Sequence, residues 1–595
     1  MSSILTWMTF LPLLAALLIL CIPARMRFAI KATGVAGTLV VFVLGCALAW
    51  DYMKAEGLPK GDGKTLAGPA RSADAAFPDI RAKILQDLPP STAEKVRALL
   101  PKPEEAAKAV SDGDRAALGE TGVKAWEQVM ELALAERVPT AQHLRFVEFA
   151  SWIPTFKINY FMAVDGLSLP LVWLTALLGV LCLIYSWTID NGTKGYYILF
   201  LILETGLIGV FCALDFFLFY VFWEVVLLPM YFLIGVWGGP NRIYAALKFF
   251  IYTLVGSVIM LLAMLVMFFA TEPHTFNVLT LTHLLPGYSK DLQWWLFIAL
   301  FIGFAIKVPI FPFHTWLPDA HVEAPTAISM VLAGVLLKMG GYGFFRFSYP
   351  MLPDAALSKG MVWFIAILGV INIVYGAFCA LAQTDFKKLV AYSSVSHMGY
   401  VLLGLAAFNY AGIDGAALQM FNHGVSSAML FFIVGVIYER AHHRDLDRFG
   451  GIGVQMPWYT GIAMVGFFAS LGLPGLNGFW GEVLVFMGAY DTKTSMINTA
   501  AGINAPWIIY VSLLGVVLAA VYILWTIQRV YLVKPKEVHP HPYPEICLRE
   551  VLAIAPLALL CLAVGVFPQQ TIIRHIDPSL QALTDMVRAA ADVLK

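Results

Sequence analysis

Ionisable side chains inside apolar stretches are the residues of this sequence best able to do chemistry. A charged group is costly in a lipid bilayer, so one that is kept there commonly marks a path for ions or protons. Carboxyl, amine and imidazole groups can all bind and release protons, so a set of them predicts a proton relay. Seven such residues stand in apolar stretches: Glu204, Glu224, Lys307, Lys338, His397, His423 and Glu482.

Each of these residues also has a structural interpretation. A single buried carboxylate can hydrogen-bond two helices together, and a buried histidine is often a packing residue. A buried lysine is harder to explain in this way, and two lysines with three glutamates in separate stretches favour the relay. Additional candidates lie in or near the run FPFHTWLPDAHVEA: His314, Asp319 and His321.

The composition of the chain indicates the class of protein in which these residues lie. The chain has 595 residues, of which 59% are hydrophobic and 13% charged, against about 25% charged in soluble domains. The mean hydropathy is +0.76. These values exclude a soluble globular enzyme and a disordered chain. The net charge of zero gives no reason to expect nucleic-acid binding, and the seven cysteines form no CxxC pair that would indicate an Fe–S or zinc site.

Apolar runs of about 20 residues, the length that crosses a bilayer, predict an all-α polytopic membrane protein with about fourteen spans. We predict them near 4–23, 28–50, 167–188, 196–214, 216–237, 245–270, 293–313, 326–348, 361–382, 391–409, 414–438, 456–489, 506–531 and 549–567. Residues 51–150 hold 30 of the 78 charged residues, which indicates one polar insert. Its stretches 91–110 and 114–137 favour helices.

Two spans are interrupted by helix breakers beside a charge. Pro309 and Pro312 follow Lys307 in the seventh span, and Pro474, Gly475 and Gly478 precede Glu482 in the twelfth. Broken helices in membranes are tolerated where they line a polar cavity. Two breaks five spans apart predict inverted repeats of spans 4–8 and 9–13 with the site at the breaks.

The predicted organisation has six regions and a fixed orientation. They are 1–50 (spans 1–2), 51–155 (a polar, partly helical insert), 156–195 (span 3), 196–350 (first repeat), 351–535 (second repeat) and 536–595 (span 14 and an amphipathic tail). Loops after odd-numbered spans carry fifteen Lys and Arg, and the short loops after even-numbered spans carry five. The long insert is left out of this count, because long loops cross the membrane largely regardless of charge. The positive-inside rule therefore places the insert and both termini on the non-cytoplasmic side.

Three long motifs resemble one known family. FPFHTWLPDAHVEAPTAISMVLAGVLLKMGGYG (311–343), FWEVVLLPMYFLIG (222–235) and SSVSHMGYVLLG (393–404) are similar to the antiporter-like subunits of respiratory complex I. This family includes the L, M and N subunits of NADH-quinone oxidoreductase and related subunits of multisubunit cation/proton antiporters and membrane hydrogenases. The resemblance covers nearly all of the chain except the insert, which is longer than the family pattern leads us to expect.

The resemblance implies a proton path and a role for each matching residue. Glu224 and Lys307 match the acidic and basic partners of the fifth and seventh helices, and Lys338 matches the central lysine of the eighth. His397 and His423 match connecting histidines, and Glu482 matches the terminal residue of the broken twelfth helix. Glu204 has no equally clear match. A glutamate at position 482, and a chain that ends soon after its last span, are typical of the M type.

The implied function is proton translocation within complex I, which transfers electrons from NADH to quinone. The sequence has no flavin, Fe–S or nucleotide motif, so we expect no cofactor in this chain, with NAD, FMN, Fe–S clusters and quinone bound by other subunits. Expected partners are the L-like and N-like subunits and membrane lipids, in a bacterial inner membrane rather than a mitochondrial one. Two alternatives stay open: a subunit of a sodium/proton antiporter or membrane hydrogenase, and a purely structural membrane spacer.

Overall fold

The computed structural model describes residues 3–56, 73–99, 112–499, 506–534 and 543–593. In these ranges the chain folds into helices and one β-hairpin. The α-helices in chain order are α1 (Ile4–Cys21), α2 (Arg27–Glu56), α3 (Ala73–Gln86), α4 (Pro90–Ala98), α5 (Asp112–Ala135), α6 (Ser168–Tyr185), α7 (Thr193–Cys212), α8 (Phe216–Trp237), α9 (Arg242–Ala270), α10 (Val278–Leu284), α11 (Lys290–Lys307), α12 (Trp316–Glu323), α13 (Thr326–Val331), α14 (Leu337–Gly343), α15 (Tyr349–Met351), α16 (Pro353–Ala356), α17 (Lys359–Leu381), α18 (Phe386–Ala407), α19 (Tyr410–Ala441), α20 (Ile452–Gln455), α21 (Pro457–Ser470), α22 (Asn477–Tyr490), α23 (Met496–Thr499), α24 (Pro506–Ile527), α25 (Leu548–Val566) and α26 (Arg574–Val593).

The all-α polytopic membrane fold is confirmed. Twelve helical segments of the described chain are long and apolar enough to cross a membrane. Two predicted spans contain a break. In the seventh (293–313), α11 ends at Lys307 and α12 follows only from Trp316, and the twelfth (456–489) is divided into α21 and α22. These two broken spans account for the difference between twelve continuous segments and the fourteen spans predicted. The inverted-repeat arrangement stays a prediction.

Acidic residues fix where two of the spans begin. Asp215 accepts hydrogen bonds from the backbone N–H groups of Phe217 and Leu218 at the start of α8. Asp385 does the same for Lys387 and Lys388 at the start of α18. Each carboxylate satisfies N–H groups that have no partner within their own helix.

The most buried spans lie at the centre of the bundle. The apolar windows of Thr326–Met351 and Tyr410–Ala441 are fully buried by protein, whereas that of Pro506–Leu532 is 39% buried. The two central segments carry Lys338 and His423, respectively. Protein side chains, not lipid, therefore surround these two ionisable groups.

A β-hairpin that the sequence did not lead us to predict lies at the junction of the insert and the third span. Strands β1 (Arg145–Ile153) and β2 (Ile158–Val164) pair antiparallel, with Phe149 opposite Phe161. Helix α4 covers part of the stretch predicted helical at 91–110, whose remainder beyond residue 99 lies outside the described residues. Helix α5 covers most of 114–137 and bends at Gly119, where φ is 66°.

A buried polar cluster attaches the insert to the membrane body. Glu131 of α5 accepts a hydrogen bond from Asn159 Nδ2 (3.1 Å), and Asn159 N donates to Asp215 (2.9 Å). Thr280 Oγ1 donates to the Glu131 carbonyl (3.0 Å). The same carboxylate that caps α8 thus also holds the insert in place through β2.

Helix α26 is amphipathic, as predicted for 578–594, and it packs against the insert end of the bundle. Its buried side includes Leu580, Leu583 and Val587. Ser579 Oγ accepts a hydrogen bond from Gly166 N (3.0 Å), and an added Cβ on Gly166 would lie 2.2 Å from the His575 carbonyl oxygen. Only a glycine at 166 permits so close an approach.

Candidate functional site

Polar side chains of neighbouring helices hydrogen-bond the backbone groups at the break after α11. Pro309 interrupts the backbone hydrogen bonds of the seventh span. Asn372 of α17 accepts from Phe311 N (2.9 Å) and donates to the Pro309 carbonyl (3.3 Å), and Trp316 Nε1 donates to the Ile306 carbonyl (2.9 Å). The backbone groups freed by the break are thus satisfied within the protein, as a membrane interior requires. The sequence analysis did not select Asn372.

Lys307 lies at the end of α11 and is 1% exposed. Its ammonium group has no hydrogen-bond partner among the described residues and lies over two aromatic rings, 5.2 Å from Trp223 and 5.5 Å from Phe249. Both rings can stabilise a cation by a cation–π interaction. Glu224 interacts electrostatically with Lys307, but no salt bridge joins these two described residues. Glu224 and Lys307 are thus close enough to interact electrostatically, but they do not form a direct ion pair.

Lys338 and His423 are in direct contact. Lys338 Nζ lies 2.9 Å from His423 Nδ1 and also donates a hydrogen bond to the Ala333 carbonyl. Ala333 belongs to a π-helical turn, Leu332–Leu336, whose wider winding leaves that carbonyl available to the lysine. The approach depends on small residues, because a Cβ on Gly424 would lie 2.7 Å from the Gly334 carbonyl oxygen.

His397 joins the histidine pair to Glu482. The ring centroids of His397 and His423 are 5.5 Å apart. His397 Nδ1 lies 3.3 Å from Glu482 Oε1, and its Nε2 lies 3.2 Å from Ser470 Oγ. Lys338, His423, His397 and Glu482, which we call the central row, therefore follow one another through the buried interior.

The break between α21 and α22 positions Glu482. Gly472 and Gly475 in this segment have φ of 78° and 93°, which glycine adopts without strain. A Cβ on Gly472 would lie 2.9 Å from Glu482 Oε2, so the carboxylate packs against the break itself. Asn422 and Asn477 each donate a side-chain hydrogen bond to the other's carbonyl, at 2.7 and 3.1 Å, and lock the start of α22 to α19.

A further buried pair, His321 and Lys387, lies near Lys338. His321 is fully buried, stacks on Phe431 with 4.2 Å between ring centroids, and interacts electrostatically with both Lys338 and Lys387. Lys387 is buried and donates to the Ala324 carbonyl. The sequence analysis counted Lys387 only as a loop charge. Its place at the start of an apolar span, after a capping aspartate, was the signal that could have identified it.

Three candidates lie apart from the central row. Asp319 forms a salt bridge with Lys248 (2.7 Å). His314 packs against the rings of Phe311 and Tyr375, with centroids 5.9 and 5.2 Å away. Glu204 is buried, and no described residue hydrogen-bonds either of its carboxylate oxygens. A Cβ on Gly179 would lie 2.2 Å from its Oε1.

The arrangement can pass protons between groups that both accept and donate them. The amine, two imidazoles and carboxyl of the central row alternate over short distances. In the part of the chain that the structure describes, His423 Nε2 has no hydrogen-bond partner, so a transfer between the two histidines requires a water or a ring rotation. In the described ranges no group of three or more His, Cys, Asp or Glu residues is placed to hold a metal ion.

Comparison with known proteins gives a consistent family. Residues 213–506 match the family described as NADH:quinone oxidoreductase/Mrp antiporter, TM. The chain is 45% identical to NADH-quinone oxidoreductase subunit M of Rhodobacter capsulatus over 448 residues, which is 73% of this chain and 84% of the relative. It is 42% identical to subunit M of Rickettsia conorii over 428 residues, 71% of this chain and 83% of that one.

A solved structure shares the fold. One chain of respiratory complex I from Thermus thermophilus with bound NADH superposes with a TM-score of 0.67 at 28% identity. The match covers 87% of this chain and 99% of the Thermus chain.

Proposed function

Since this chain belongs to the NADH-quinone oxidoreductase subunit M family, we propose that it is a proton-translocating subunit of the membrane arm of respiratory complex I. The whole complex couples electron transfer from NADH to quinone to proton movement. This chain supplies a path for the protons and takes no part in the redox chemistry. NAD, FMN, Fe–S clusters and quinone are bound by other subunits.

The observation that supports this proposal is the central row. A lysine, two histidines and a glutamate follow one another in the most buried part of the bundle, where unpaired ionisable groups are costly. A spacer protein gains nothing from Lys338 at 0% exposure beside an imidazole. The row ends at the break before α22, where an interrupted helix can admit water.

We propose that protons reach the central row by way of Lys387 and His321 and leave it from Glu482. His321 interacts electrostatically with two buried lysines, Lys387 and Lys338. Lys387 lies at the helix end that the positive-inside rule places toward the cytoplasm. A proton added at His321 would favour release of one from Lys338 to His423, because like charges repel at short range.

Glu224 and Lys307 are proposed to act as the switch of this path. While the Lys307 ammonium lies over the aromatic rings, it is not neutralised by Glu224, and its positive charge acts on the other groups of the path. Movement of Lys307 toward Glu224 would neutralise it and alter the electrostatic field at Lys338. The break at Pro309 gives the end of α11 the freedom for such a movement.

The expected neighbours are the L-like and N-like subunits, and the expected location is a bacterial inner membrane. The experiment replaces Lys338 with methionine in inverted membrane vesicles and follows NADH-driven proton uptake with a fluorescent dye. Lys54→Met is the matched control, because Lys54 lies over the exposed Trp50 ring, far along the chain from the central row. We expect uptake to be lost in Lys338→Met and kept in the control, with the complex assembled in both. Sodium-driven proton exchange without NADH would instead identify an antiporter subunit.

A further inference from the structure

A cationic cavity lies at the end of the bundle that carries the insert. It has a volume of about 580 Å³ and is formed by the start of α11, the α16–α17 junction, the segment after α22, and α26. Its lining includes four basic side chains and one acidic one among the described residues. These are Lys290, Lys359, Lys493, Arg588 and Asp354.

Apart from the insert, the loops at this end of the bundle carry few basic residues, and most of these line the cavity. Of the five Lys and Arg residues in the short loops after even-numbered spans, three line the cavity: Lys290, Lys359 and Lys493. The other two have carboxylate partners, Arg346 with Asp165 (2.7 Å) and Lys157 with Glu127 (3.0 Å).

The three lysines of the cavity have no such partner. In the described chain no carboxylate lies within 4.0 Å of any of them. Asp491, beside Lys493, is occupied by hydrogen bonds from Lys493 N and Thr494, and Asp354 accepts one from Gln293 Nε2. The cavity therefore holds excess positive charge.

Two helix ends add to that charge. Lys290 and Lys359 are the first residues of α11 and α17, which have 18 and 23 residues and are capped by Ser289 and Ser358. The N-terminal end of a helix carries a partial positive charge, so a lysine is unfavourable there unless an anion is near. Phosphate groups bind readily at such ends.

The surroundings of the cavity are those of a membrane interface. Trp294 and Trp295, one turn after Lys290, are 42% and 68% exposed, and Trp363 packs near Trp507 with ring centroids 6.1 Å apart. Exposed tryptophans of this kind collect at the level of lipid headgroups. Beyond Trp507, α24 exposes an apolar side suited to acyl chains, with Leu513, Leu514 and Val517.

We propose that this cavity binds the phosphate of an anionic phospholipid in the non-cytoplasmic leaflet, with Lys290, Lys359 and Lys493 as its ligands. The lipid's acyl chains lie along the exposed side of α17 and α24. Arg588 holds α26 at the cavity wall through hydrogen bonds to the Phe408 carbonyl, so the lipid also secures α26. This proposal is independent of proton translocation and applies equally to an antiporter subunit.

The test measures lipid retention by the whole purified complex. The complex is delipidated, placed in nanodiscs of phosphatidylglycerol or of phosphatidylcholine, and its retained lipid is counted by native mass spectrometry. We expect the parent complex to retain phosphatidylglycerol selectively. Changing Lys290, Lys359 and Lys493 together to Gln should weaken retention about 100-fold, since each interfacial basic residue contributes a factor of about five. The matched control changes Lys83, Lys95 and Lys124, three lysines of the insert, to Gln and should retain the lipid.

Two further measurements distinguish loss of lipid binding from poor assembly and from binding of free phosphate. Changing the same three cavity lysines to Arg keeps their charge and should preserve retention, even if the Gln variant assembles poorly. Inorganic phosphate added at millimolar concentration should not displace the lipid, because it lacks acyl chains. The proposal is overturned if phosphatidylcholine is retained equally, if phosphate displaces the lipid, or if the Gln variant retains it. It is also overturned if a carbodiimide crosslinks Lys359 to an acidic loop of a neighbouring subunit in the intact complex.

Discussion

His397 Nδ1 lies 3.3 Å from Glu482 Oε1, although α18 and α22 are separated by the whole of α19 in the sequence. The contact joins an imidazole to a carboxyl that packs against Gly472 at the helix break. It makes Glu482 the last member of the central row and the group nearest to the interruption in the twelfth span.

Replacing Glu482 with Gln keeps the shape of the side chain and removes its ability to titrate. We expect NADH-driven proton uptake to fall about tenfold or more, because loss of a proton-transfer group typically costs at least that much. Glu482→Asp and Glu482→Lys should keep part of the activity. Glu272→Gln, in an exposed loop, is the control. Uptake equal to the parent in Glu482→Gln would show that protons leave by another route.

Replacing Lys338 with arginine should abolish proton uptake, as replacing it with methionine should. Arginine keeps the positive charge but does not release its proton in proteins. If Lys338 passes its proton to His423, Lys338→Arg loses proton uptake, whereas Lys338→His, which can titrate, keeps a measurable part. Native electrophoresis checks assembly in each variant. Full activity of an assembled Lys338→Arg variant would show that the lysine supplies only a fixed charge.

The Glu224 and Lys307 single variants should be no better than the double variant. If the two residues act as one switch, Glu224→Gln and Lys307→Met each lose proton uptake, and combining them causes little further loss. Independent roles would instead multiply the two losses. Trp223→Phe keeps an aromatic ring beneath Lys307 and should retain most of the uptake. Near-normal pumping in both single variants would remove the pair from the mechanism.

Attachment of the insert should weaken as the pH rises. Burial raises the pKa of Glu131 from 4.5 to about 8, with the nearby Asp215 adding to the shift, and burial raises the pKa of Asp215 to about 7. There is therefore a pH range in which each carboxyl is protonated while the insert is attached and ionised once the insert detaches. Attachment is thus strongest below the unperturbed pKa of Glu131 and loses stability as the pH rises to about 8.

Hydrogen exchange measures this effect. Protection factors of α5 amides, corrected for the intrinsic pH dependence of exchange, should fall between about pH 5 and about pH 8. Glu131→Gln should flatten the profile, whereas Glu120→Gln, on the exposed surface of the same helix, should leave it unchanged. A flat profile in the parent protein would contradict the prediction.

The sequence alone was sufficient for the membrane fold and for the positions of both helix breaks. Apolar runs of fixed length and prolines or glycines in series are local signals, because the bilayer imposes its thickness on each span separately. The roles of Glu224, Lys307, Lys338, His397, His423 and Glu482 remain predictions. The sequence could nominate these residues, because a charge in an apolar run is visible without knowing its neighbours.

The tertiary structure decided which of these residues meet. Lys338 and His423 are 85 positions apart and lie 2.9 Å from each other because Gly334 and Gly424 let their helices approach closely. Glu204, Asp319 and His314 lie outside the central row, and no local sequence pattern could have distinguished them from its members. The hairpin of β1 and β2 and the burial of Lys387 were also missed, because strand pairing and burial depend on contacts between segments far apart in the chain.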